Sequence, residues 1–401
     1  MSIITLDIAR QDVRQTNRRM VLSEIMLNGP IPRAKIAQRT GLTAASVSRI
    51  SREIITAGLV VEGETLPSTN RPGRRFIAID VNPAGGYVLG ISINALQQFI
   101  TLADLKNRPL ARRELSLEST EDAEDVLNRV AQAANEMILG AGVPHERLFG
   151  GSVSVSGAVD PENGLVHSAP TLGWENVCIG DFLSNALDIP IHVENMPNAM
   201  NLAETRFGIG RGHGNVVLLN AALGIGGSLL LDNRLIRGNN FSAGLVGTMS
   251  LWRDAHGRSL SVDEMAGGWG VLRNIFGETS METASSPGRH LLDAVKAAET
   301  GDDTARSALR KSGQSLANVI ETIAGIVHPE IFIVSGALAS SFSYVEGVRA
   351  GLAEAWSNES NSIPVHVSNM TGQAAARWLA INEFLLQRNL DLEHLLGDSA
   401  A

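Results

Sequence analysis

Apolar side chains in the first sixty residues recur with the period of short α-helices. Residues 17–27 place apolar side chains at helical spacing, and Asn28-Gly29-Pro30 ends that pattern. Residues 31–58 predict two further short helices that meet at a tight angle. An apolar strand at 59–63, a polar turn-rich segment and a basic return strand follow. This succession predicts a winged helix-turn-helix.

The two short helices carry the residue spacing that a helix-turn-helix requires. Ala37, Gly41 and Val47 lie at offsets of 0, 4 and 10 residues. The alanine allows two helix backbones to approach closely, and the glycine can adopt the left-handed conformation that the turn needs. Val47 is predicted to face inward with Leu42 and Ile50, which would lock the second helix against the first.

The second of these helices is predicted to present a face that reads DNA. Thr43 fits its N-cap, because a threonine hydroxyl accepts a hydrogen bond from the first helical turn. The outward face is predicted to carry Thr43, Ala44, Ala45, Ser48, Arg49 and Arg52. Small polar side chains and arginines suit major-groove base edges and phosphates. The alternative is an ordinary helical hairpin with a solvated face, and the agreement of spacing, cap and charge favours DNA.

Three arginines lie in the predicted wing. Arg71, Arg74 and Arg75 flank Pro72-Gly73, where they are predicted to reach a phosphate or the minor groove. A solvated linker between two domains explains the same residues. Residues 1–75 are therefore predicted to form a winged helix-turn-helix domain and its linker.

From residue 76 onward, short β-type runs alternate with helical segments. Strands are predicted at 76–81, 86–93, 97–102, 148–155, 189–193, 215–221, 226–231, 234–236, 331–334 and 365–367. Helices are predicted at 123–139, 197–207, 260–276, 304–327, 344–357 and 372–387. Strand hairpins followed by alternating helix and strand occur twice, which is typical of two related α/β lobes with a cleft between them. Residues 76–401 are thus predicted to form a two-lobed α/β body.

Charge and composition add to this picture. The 401-residue chain has a net charge of -9, yet residues 1–75 hold 12 Lys and Arg against 6 Asp and Glu. A basic head on an acidic body indicates that one end binds nucleic acid. The single cysteine, Cys178, excludes an internal disulfide and a multi-cysteine metal site. No apolar run approaches about 18 residues and no signal-peptide core is present, so a cytoplasmic location without membrane contact is predicted.

Motifs along almost the whole chain resemble one known family. In order they are the winged helix-turn-helix, the segment Arg71-Pro72-Gly73-Arg74, and GYVLGISI, SVSVSGAVD, SAPTLGW, VENMPNAMNLAE and LGIGGSLLL. This order resembles the ROK family, named for repressors, open reading frames and sugar kinases. The resemblance implies an actin-like, sugar-kinase fold for residues 76–401. It also implies either a glucokinase-type enzyme or, given the DNA-binding head, a sugar-responsive transcription factor.

The chain departs from the kinases of that family where phosphoryl transfer needs polar groups. The kinases carry an aspartate for Mg²⁺ and phosphate in the first hairpin, where this chain reads Ser92-Ile93-Asn94. Their general base ends the motif Glu-Asn-Asp, where this chain reads Glu194-Asn195-Met196, and a thioether cannot accept that proton. Their second hairpin reads Gly-Thr-Gly, where this chain reads Ala222-Leu223-Gly224. Together these losses predict a protein without kinase activity, catalytic residues or a cofactor.

The zinc motif of the family is also altered. Its Glu-x-Gly-His sequence matches residues 245–248, which read Leu-Val-Gly-Thr, and its cysteine cluster matches residues 254–263, which hold no cysteine. Zinc held by thiolates and imidazoles needs about four such ligands, and His256 stands alone there. No structural zinc is predicted.

The resemblance implies four effector-binding residues at the positions of the family's sugar site: Thr171, Glu194, Asn195 and Asp263. Thr171 and Asp263 stand in place of an asparagine and a glutamate, whereas Glu194 and Asn195 match. Alternatively, the latter two residues only cap the helix that begins near Pro197. The changes at 245 and 248 make one side of the pocket apolar, so a deoxy or acylated ligand is predicted to fit better than a plain hexose.

The predicted function is a DNA-binding repressor of carbohydrate-related genes. Its degenerate, non-catalytic kinase-like body would sense a sugar or related small molecule. The expected partners are double-stranded operator DNA, that effector, and further copies of the chain in a homodimer or dimer of dimers. One alternative is a glucokinase-type sugar kinase with an appended DNA-binding head. Another is a regulator whose body only dimerises or binds a protein. Stabilisation of the protein by a small ligand would distinguish the ligand-sensing repressor from this regulator.

Overall fold

The structure is a computed structural model. It describes residues 3–67, 75–115, 122–277, 286–356 and 362–387, together with residues 392 and 395. Within these ranges the chain forms a small N-terminal unit followed by two α/β lobes. No helix in the described ranges is long and apolar enough to cross a membrane.

The N-terminal unit has three helices and a small sheet. Its elements are α1 (Ile3–Asn28), β1 (Ile31–Pro32), α2 (Arg33–Thr40), α3 (Ala44–Thr56), β2 (Val60–Pro67) and β3 (Arg75–Val81). The strands form an antiparallel sheet in the order β1-β3-β2. Val47, Ile50 and Ile54 are spaced by three and four residues along α3, so all three side chains are buried on one face. The predicted winged helix-turn-helix is confirmed.

One strand lies in a different unit from the one that its pattern predicts. Residues 76–81 are predicted to begin the body, but β3 pairs with β2 and β1 as the return strand of the wing. Ile79 lies opposite Ile31 in this pairing and is fully buried in the core of the N-terminal unit. Pairing partners far apart in sequence decided this assignment, and the strand pattern alone contains no information about them.

The first lobe is built on a five-stranded mixed sheet in the order β11-β7-β4-β5-β6. Its elements are β4 (Tyr87–Ile93), β5 (Gln98–Asp104), β6 (Pro109–Leu115), α4 (Ala123–Ala141), β7 (Leu148–Val155), β8 (Ala158–Asp160), β9 (Leu165–Ala169), β10 (Trp174–Cys178), α5 (Ile179–Leu187), β11 (Ile191–Asn195) and α6 (Met196–Phe207). Apolar residues of α4 and α5 pack on one face of this sheet. Strands β8 to β10 form a small separate sheet beside it.

The second lobe repeats this arrangement with the order β18-β17-β12-β13-β14. Its elements are β12 (Val216–Ala221), β13 (Ile225–Leu231), β14 (Arg234–Ile236), β15 (Ser250–Arg253), β16 (Ser259–Ser261), α7 (Val262–Ala266), α8 (Gly268–Phe276), α9 (Pro287–Thr300), α10 (Asp303–Val327), β17 (Ile331–Ser335), α11 (Phe342–Ala355), β18 (Val365–Val367) and α12 (Gly372–Ile381). A π-helical turn at Asn382–Gln387 extends α12. The predicted pair of related α/β lobes is confirmed.

Two helices exchange between the lobes. Helix α6 leaves the first lobe and packs on β12 and β13 of the second, whereas α12 leaves the second lobe and packs on β4 and β7 of the first. Side chains of β12 alternate between two cores, because Val217 faces the core around α10 while Val216 faces α6. A side chain at Gly90 of β4 would collide with Arg377 of α12, which explains the glycine. The exchanged helices therefore join the two sheets across the cleft.

The helix predicted at 260–276 is interrupted. Residues 259–261 form β16, and Gly267 separates α7 from α8 in an extended conformation. A Cβ atom at Gly267 would lie 2.9 Å from the carbonyl oxygen of Leu223. The first N–H groups of α8, from Gly268 and Trp269, donate to carbonyls of the β12–β13 hairpin. Contact with this hairpin thus replaces the helical bonds that a continuous helix would make.

The N-terminal unit shares a hydrophobic core with the first lobe and the end of α12. Val21 and Leu22 of α1 belong to the same buried cluster as Val88 and Phe384. The guanidinium of Arg147, just before β7, donates to the carbonyl oxygens of residues 57, 85 and 395 at 2.8, 3.2 and 3.3 Å. These contacts dock the N-terminal unit directly on the body.

Candidate DNA-binding helix and interlobe cleft

The turn between α2 and α3 has the geometry that its sequence predicts. Gly41 ends α2 with a φ of 71°, and its N–H donates to the carbonyl of Ala37 at 3.0 Å. The side chain of Thr43 accepts a hydrogen bond from the N–H of Ser46 at 3.2 Å, which caps α3. Val47 is fully buried. The left-handed turn, the cap and the inward valine are therefore confirmed.

The outward face of α3 is open to solvent. Five of the six predicted DNA-facing residues are exposed and Ser48 is half-buried; the exposed ones are Thr43, Ala44, Ala45, Arg49 and Arg52. Arg49 is held by Glu53 one turn later, with 2.6 Å between guanidinium and carboxylate. Glu53 also lies 3.3 Å from Arg18 of α1. The sequence prediction omitted this carboxylate, although its position four residues after Arg49 is the spacing of a helical ion pair.

The structure describes the three wing arginines only in part. Arg71 and Arg74 lie outside the described residues. Arg75 begins β3, where the backbone alone is described. The prediction that these three side chains reach DNA therefore stays a prediction.

A cleft of about 560 Å³ lies between the two lobes. Ser92 at the end of β4 and Met196 at the start of α6 line it from the first lobe, and Leu223 of the β12–β13 hairpin lines it from the second. A Cβ atom on Gly372, at the start of α12, would lie 2.7 Å from the hydroxyl of Ser92 and 2.9 Å from the Met196 methyl. The three positions at which the chain departs from the kinase motifs thus share one cavity, where the hydroxyl, the thioether and the isobutyl group replace the polar groups of the kinases.

Asp263 is the only ionisable side chain that lines the cleft among the described residues. Burial raises the pKa of its carboxyl, and the N–H of Ile225 opposes that change by donating to Oδ1 at 2.6 Å. A Cβ atom on Gly247 would lie 2.1 Å from this oxygen, so the carboxyl fits only against a glycine. Phosphate binding usually relies on positioned cations, and no lysine or arginine lines the described cleft.

Thr171 and Asn195 line the cleft from the first lobe. Thr171 is exposed in the turn between β9 and β10, where its hydroxyl is available to a ligand. Asn195 is the N-cap of α6: its oxygen accepts from the N–H of Asn198 at 3.4 Å, and its amide nitrogen donates to the carbonyl of Gly157. Asn195 therefore caps α6, as the alternative interpretation of the sequence predicts, and it also lines the cleft.

Glu194 does not line the cleft, contrary to its prediction as a ligand contact. Its side chain is fully buried, and Arg237 of the second lobe pairs with Oε2. Oε1 accepts from the N–H of Asn195 at 2.9 Å and from the amide of Asn198 at 3.1 Å. Both carboxylate oxygens of Glu194 thus have partners within the protein, and the side chain orients the start of α6 from the side away from the cleft. Sequence reasoning missed Arg237, because 43 residues separate the two partners.

An aromatic contact that the sequence analysis did not predict lies at the cleft. Phe241 lines the cavity and stacks on His167 of β9, with ring centroids 5.8 Å apart. Asn240 and Phe241 have φ values of 52° and 56°, a backbone conformation rare for residues with side chains. This contact brings the loop after β14 against the small sheet of the first lobe.

The place of the family's zinc motif is occupied by other interactions. The hydroxyl of Thr248 donates to the carbonyl of Leu245 at 2.9 Å. His256 lies at the tip of the β15–β16 hairpin, where the carboxylate of Asp254 accepts from the N–H groups of His256 and Arg258. Nowhere in the described ranges do three His, Cys, Asp or Glu residues come together as metal ligands.

Comparisons with known proteins agree with this architecture. The xylose repressor of Bacillus subtilis strain 168 is 24% identical over 392 residues, which cover 96% of this chain and 99% of the repressor. The chain spans only 58% to 63% of the length of three other relatives, two named "Xylose repressor" and one named "Putative xylose repressor". The crystal structure of a ROK family transcriptional regulator, a homologue of the E. coli MLC protein, matches with a TM-score of 0.72 at 22% identity, covering 96% of this chain and 99% of that one.

A kinase structure matches the body without the N-terminal unit. The ROK family glucokinase of Streptomyces griseus, solved with glucose and AMPPNP, has a TM-score of 0.61 at 22% identity and covers 74% of this chain and 98% of its own. These likenesses establish a two-lobed sugar-kinase fold behind a helix-turn-helix. A family model described as ROK family matches residues 88–381. The chain belongs to the ROK family.

Proposed function

We propose that this protein is a DNA-binding transcriptional repressor of carbohydrate-related genes whose body senses a small sugar-like ligand. The observation that carries the proposal is the exposed face of a correctly capped α3 on a unit docked directly against the two-lobed body. A full-length relative named as a xylose repressor supports it. The proposed DNA contacts are Thr43, Ala44, Ala45, Ser48, Arg49, Arg52, Arg71, Arg74 and Arg75.

The body is proposed to bind without catalysing phosphoryl transfer. Met196 cannot take a proton from a sugar hydroxyl, and Ser92 and Leu223 remove the other polar groups that the family's kinases use. Kinases share the family, so the alternative enzyme is a sugar kinase with an appended DNA-binding head. The absence of a carboxylate at these three positions favours the regulator.

The effector is proposed to lie in the interlobe cleft, against Thr171, Asn195 and Asp263. The carboxyl of Asp263 can accept a hydrogen bond from a ligand hydroxyl or, when protonated, donate one. Leu245 and Leu223 make the opposite wall apolar, so a deoxy or acylated sugar fits better than a plain hexose. Helices α6 and α12 cross between the lobes, and α12 reaches the core of the N-terminal unit. Closure of the lobes would therefore change the position of α3.

A homodimer on two half-sites in the cytoplasm completes the proposal, since one recognition helix makes few base contacts and a dimer doubles them. DNA duplexes selected by the protein from a random library would supply the operator for fluorescence anisotropy. Arg49→Ala should weaken binding by about 1–3 kcal/mol and relax specificity at one base pair. The matched control Arg258→Ala, in the β15–β16 hairpin, should bind like wild type. Equal operator binding by Arg49→Ala and wild type across salt concentrations would remove Arg49 from the interface.

A further inference from the structure

A second cavity, of about 500 Å³, lies where the N-terminal unit meets the body. It is outside the interlobe cleft and shares no lining residue with it. Its walls come from the end of α1, the end of α6 with the loop that follows, the β13–β14 hairpin, and α12 with its π-helical extension. The residues that give it its chemistry are Leu27, Arg206, Arg211, His213, Trp378 and Asn382.

This second cavity has two arginines whose charges are poorly compensated. Arg206 is half-buried, and burial lowers its pKa although the charge of Glu383 opposes this. Its Nε is buried without a hydrogen-bond partner, and its Nη2 donates to the hydroxyl of Ser23 at 3.4 Å. Arg211, on the rim, donates only through long bonds of 3.5 and 3.3 Å, to the carbonyl of Leu27 and the side chain of Asn28. Among the described residues, neither arginine forms an ion pair and no carboxylate lines this cavity, so an anion would be attracted there.

Asn382 adds an acceptor that also lacks a partner. The residue is only 8% exposed, and its amide nitrogen donates to Glu383 at 2.9 Å. Its oxygen, Oδ1, is buried without any donor. A buried acceptor left in this state is unfavourable, and a ligand hydroxyl would satisfy it once the side chain turns toward the cavity, because Oδ1 itself has almost no accessible surface. Beside it, Trp378 stacks on Phe207 at 4.0 Å and offers a flat apolar wall.

We propose that the second cavity binds a small hydroxylated phosphate, with the phosphate on Arg206 and Arg211 and a hydroxyl on Asn382. Two arginines without an ion pair and an acceptor without a donor at Asn382 Oδ1 favour a ligand that carries both an anion and a hydroxyl. Such an occupant would contact Leu27 of α1 and Arg206 of α6 together. It would therefore join the N-terminal unit to the body independently of the cleft.

Titration calorimetry on the full chain tests this, with glycerol 3-phosphate as the probe and inorganic phosphate and glycerol as matched comparisons. Glycerol 3-phosphate should bind, phosphate should bind about tenfold more weakly, and glycerol should give no heat. Arg211→Gln should weaken glycerol 3-phosphate binding by at least about tenfold, equivalent to about 1.4 kcal/mol. Asn382→Leu should bring glycerol 3-phosphate down to the affinity of phosphate, because it removes the hydroxyl contact; it also removes the hydrogen bond from Asn382 to Glu383.

Two control variants establish whether the probe binds in the second cavity. Arg258→Gln removes an exposed arginine elsewhere, and Asn195→Ala changes the interlobe cleft; both should bind the probe like wild type. Arg211 lies at the exposed rim, so its variant should fold even if one at the buried Asn382 does not, and melting curves check both. The proposal is overturned if millimolar glycerol 3-phosphate gives no heat, if Arg211→Gln binds as tightly as wild type, or if Asn195→Ala abolishes binding.

Discussion

The ion pair between Glu194 and Arg237 predicts a specific loss of stability. Glu194 is fully buried, whereas 32% of the Arg237 side chain is exposed. Arg237→Met keeps most of the aliphatic stem and removes the charge. The buried carboxylate would then lose its only cationic partner among the described residues, while keeping the hydrogen bonds from Asn195 and Asn198.

The expected cost follows from the burial of the carboxylate. Removing one partner of a buried ion pair usually costs about 3–5 kcal/mol, because the remaining charge stays desolvated. Two hydrogen bonds still stabilise Glu194, and the partial exposure of Arg237 lets water screen the pair. The lower end, about 3 kcal/mol, is therefore expected for Arg237→Met. The matched control is Arg258→Met, whose exposed ion pairs with Asp254 and Glu264 should contribute far less.

Urea unfolding followed by tryptophan fluorescence and circular dichroism measures these differences. The double variant Glu194→Gln/Arg237→Met should recover most of the stability lost in Arg237→Met, because a neutral amide still accepts the two hydrogen bonds and carries no buried charge. If Arg237→Met costs no more than Arg258→Met, or if the double variant is no more stable than Arg237→Met, then Arg237 does not compensate the charge of Glu194.

Four further outcomes are expected. Burial raises the pKa of Asp263 above the ordinary value of 3.8. The stability that this carboxyl contributes therefore falls as the pH rises from the ordinary pKa through the raised one. Asp263→Asn should thus melt higher than wild type above that interval and not below it; a difference independent of pH contradicts this. Asn195→Ala should cost about 1 kcal/mol of stability through the lost cap. The same variant should weaken binding of any sugar that stabilises wild type, with ligand-free operator affinity nearly intact, and unchanged sugar affinity would refute the cleft site. A coupled ATP assay over hexoses and amino sugars should stay at background, and turnover of even ~1 s⁻¹ would show an enzyme.

The N-terminal unit was readable from the sequence because its geometry is local. The left-handed Gly41, the cap by Thr43 and the inward Val47 depend on residues within ten positions of one another. Helical period and capping chemistry act over that distance. The two lobes were likewise readable, because each strand pattern is a short contiguous segment.

The tertiary structure alone decided which of the predicted site residues face the cleft. Glu194 lies near the end of β11 and matches its motif, yet its carboxylate is buried and pairs with Arg237 of the other lobe. Residues 75–81 have the pattern of any half-buried strand, and pairing with Ile31 placed them in the wing. The second cavity needs α1, α6 and α12 together, from the two ends and the middle of the chain. Contacts of this kind depend on how helices exchange between two sheets, and no local period or propensity encodes that packing.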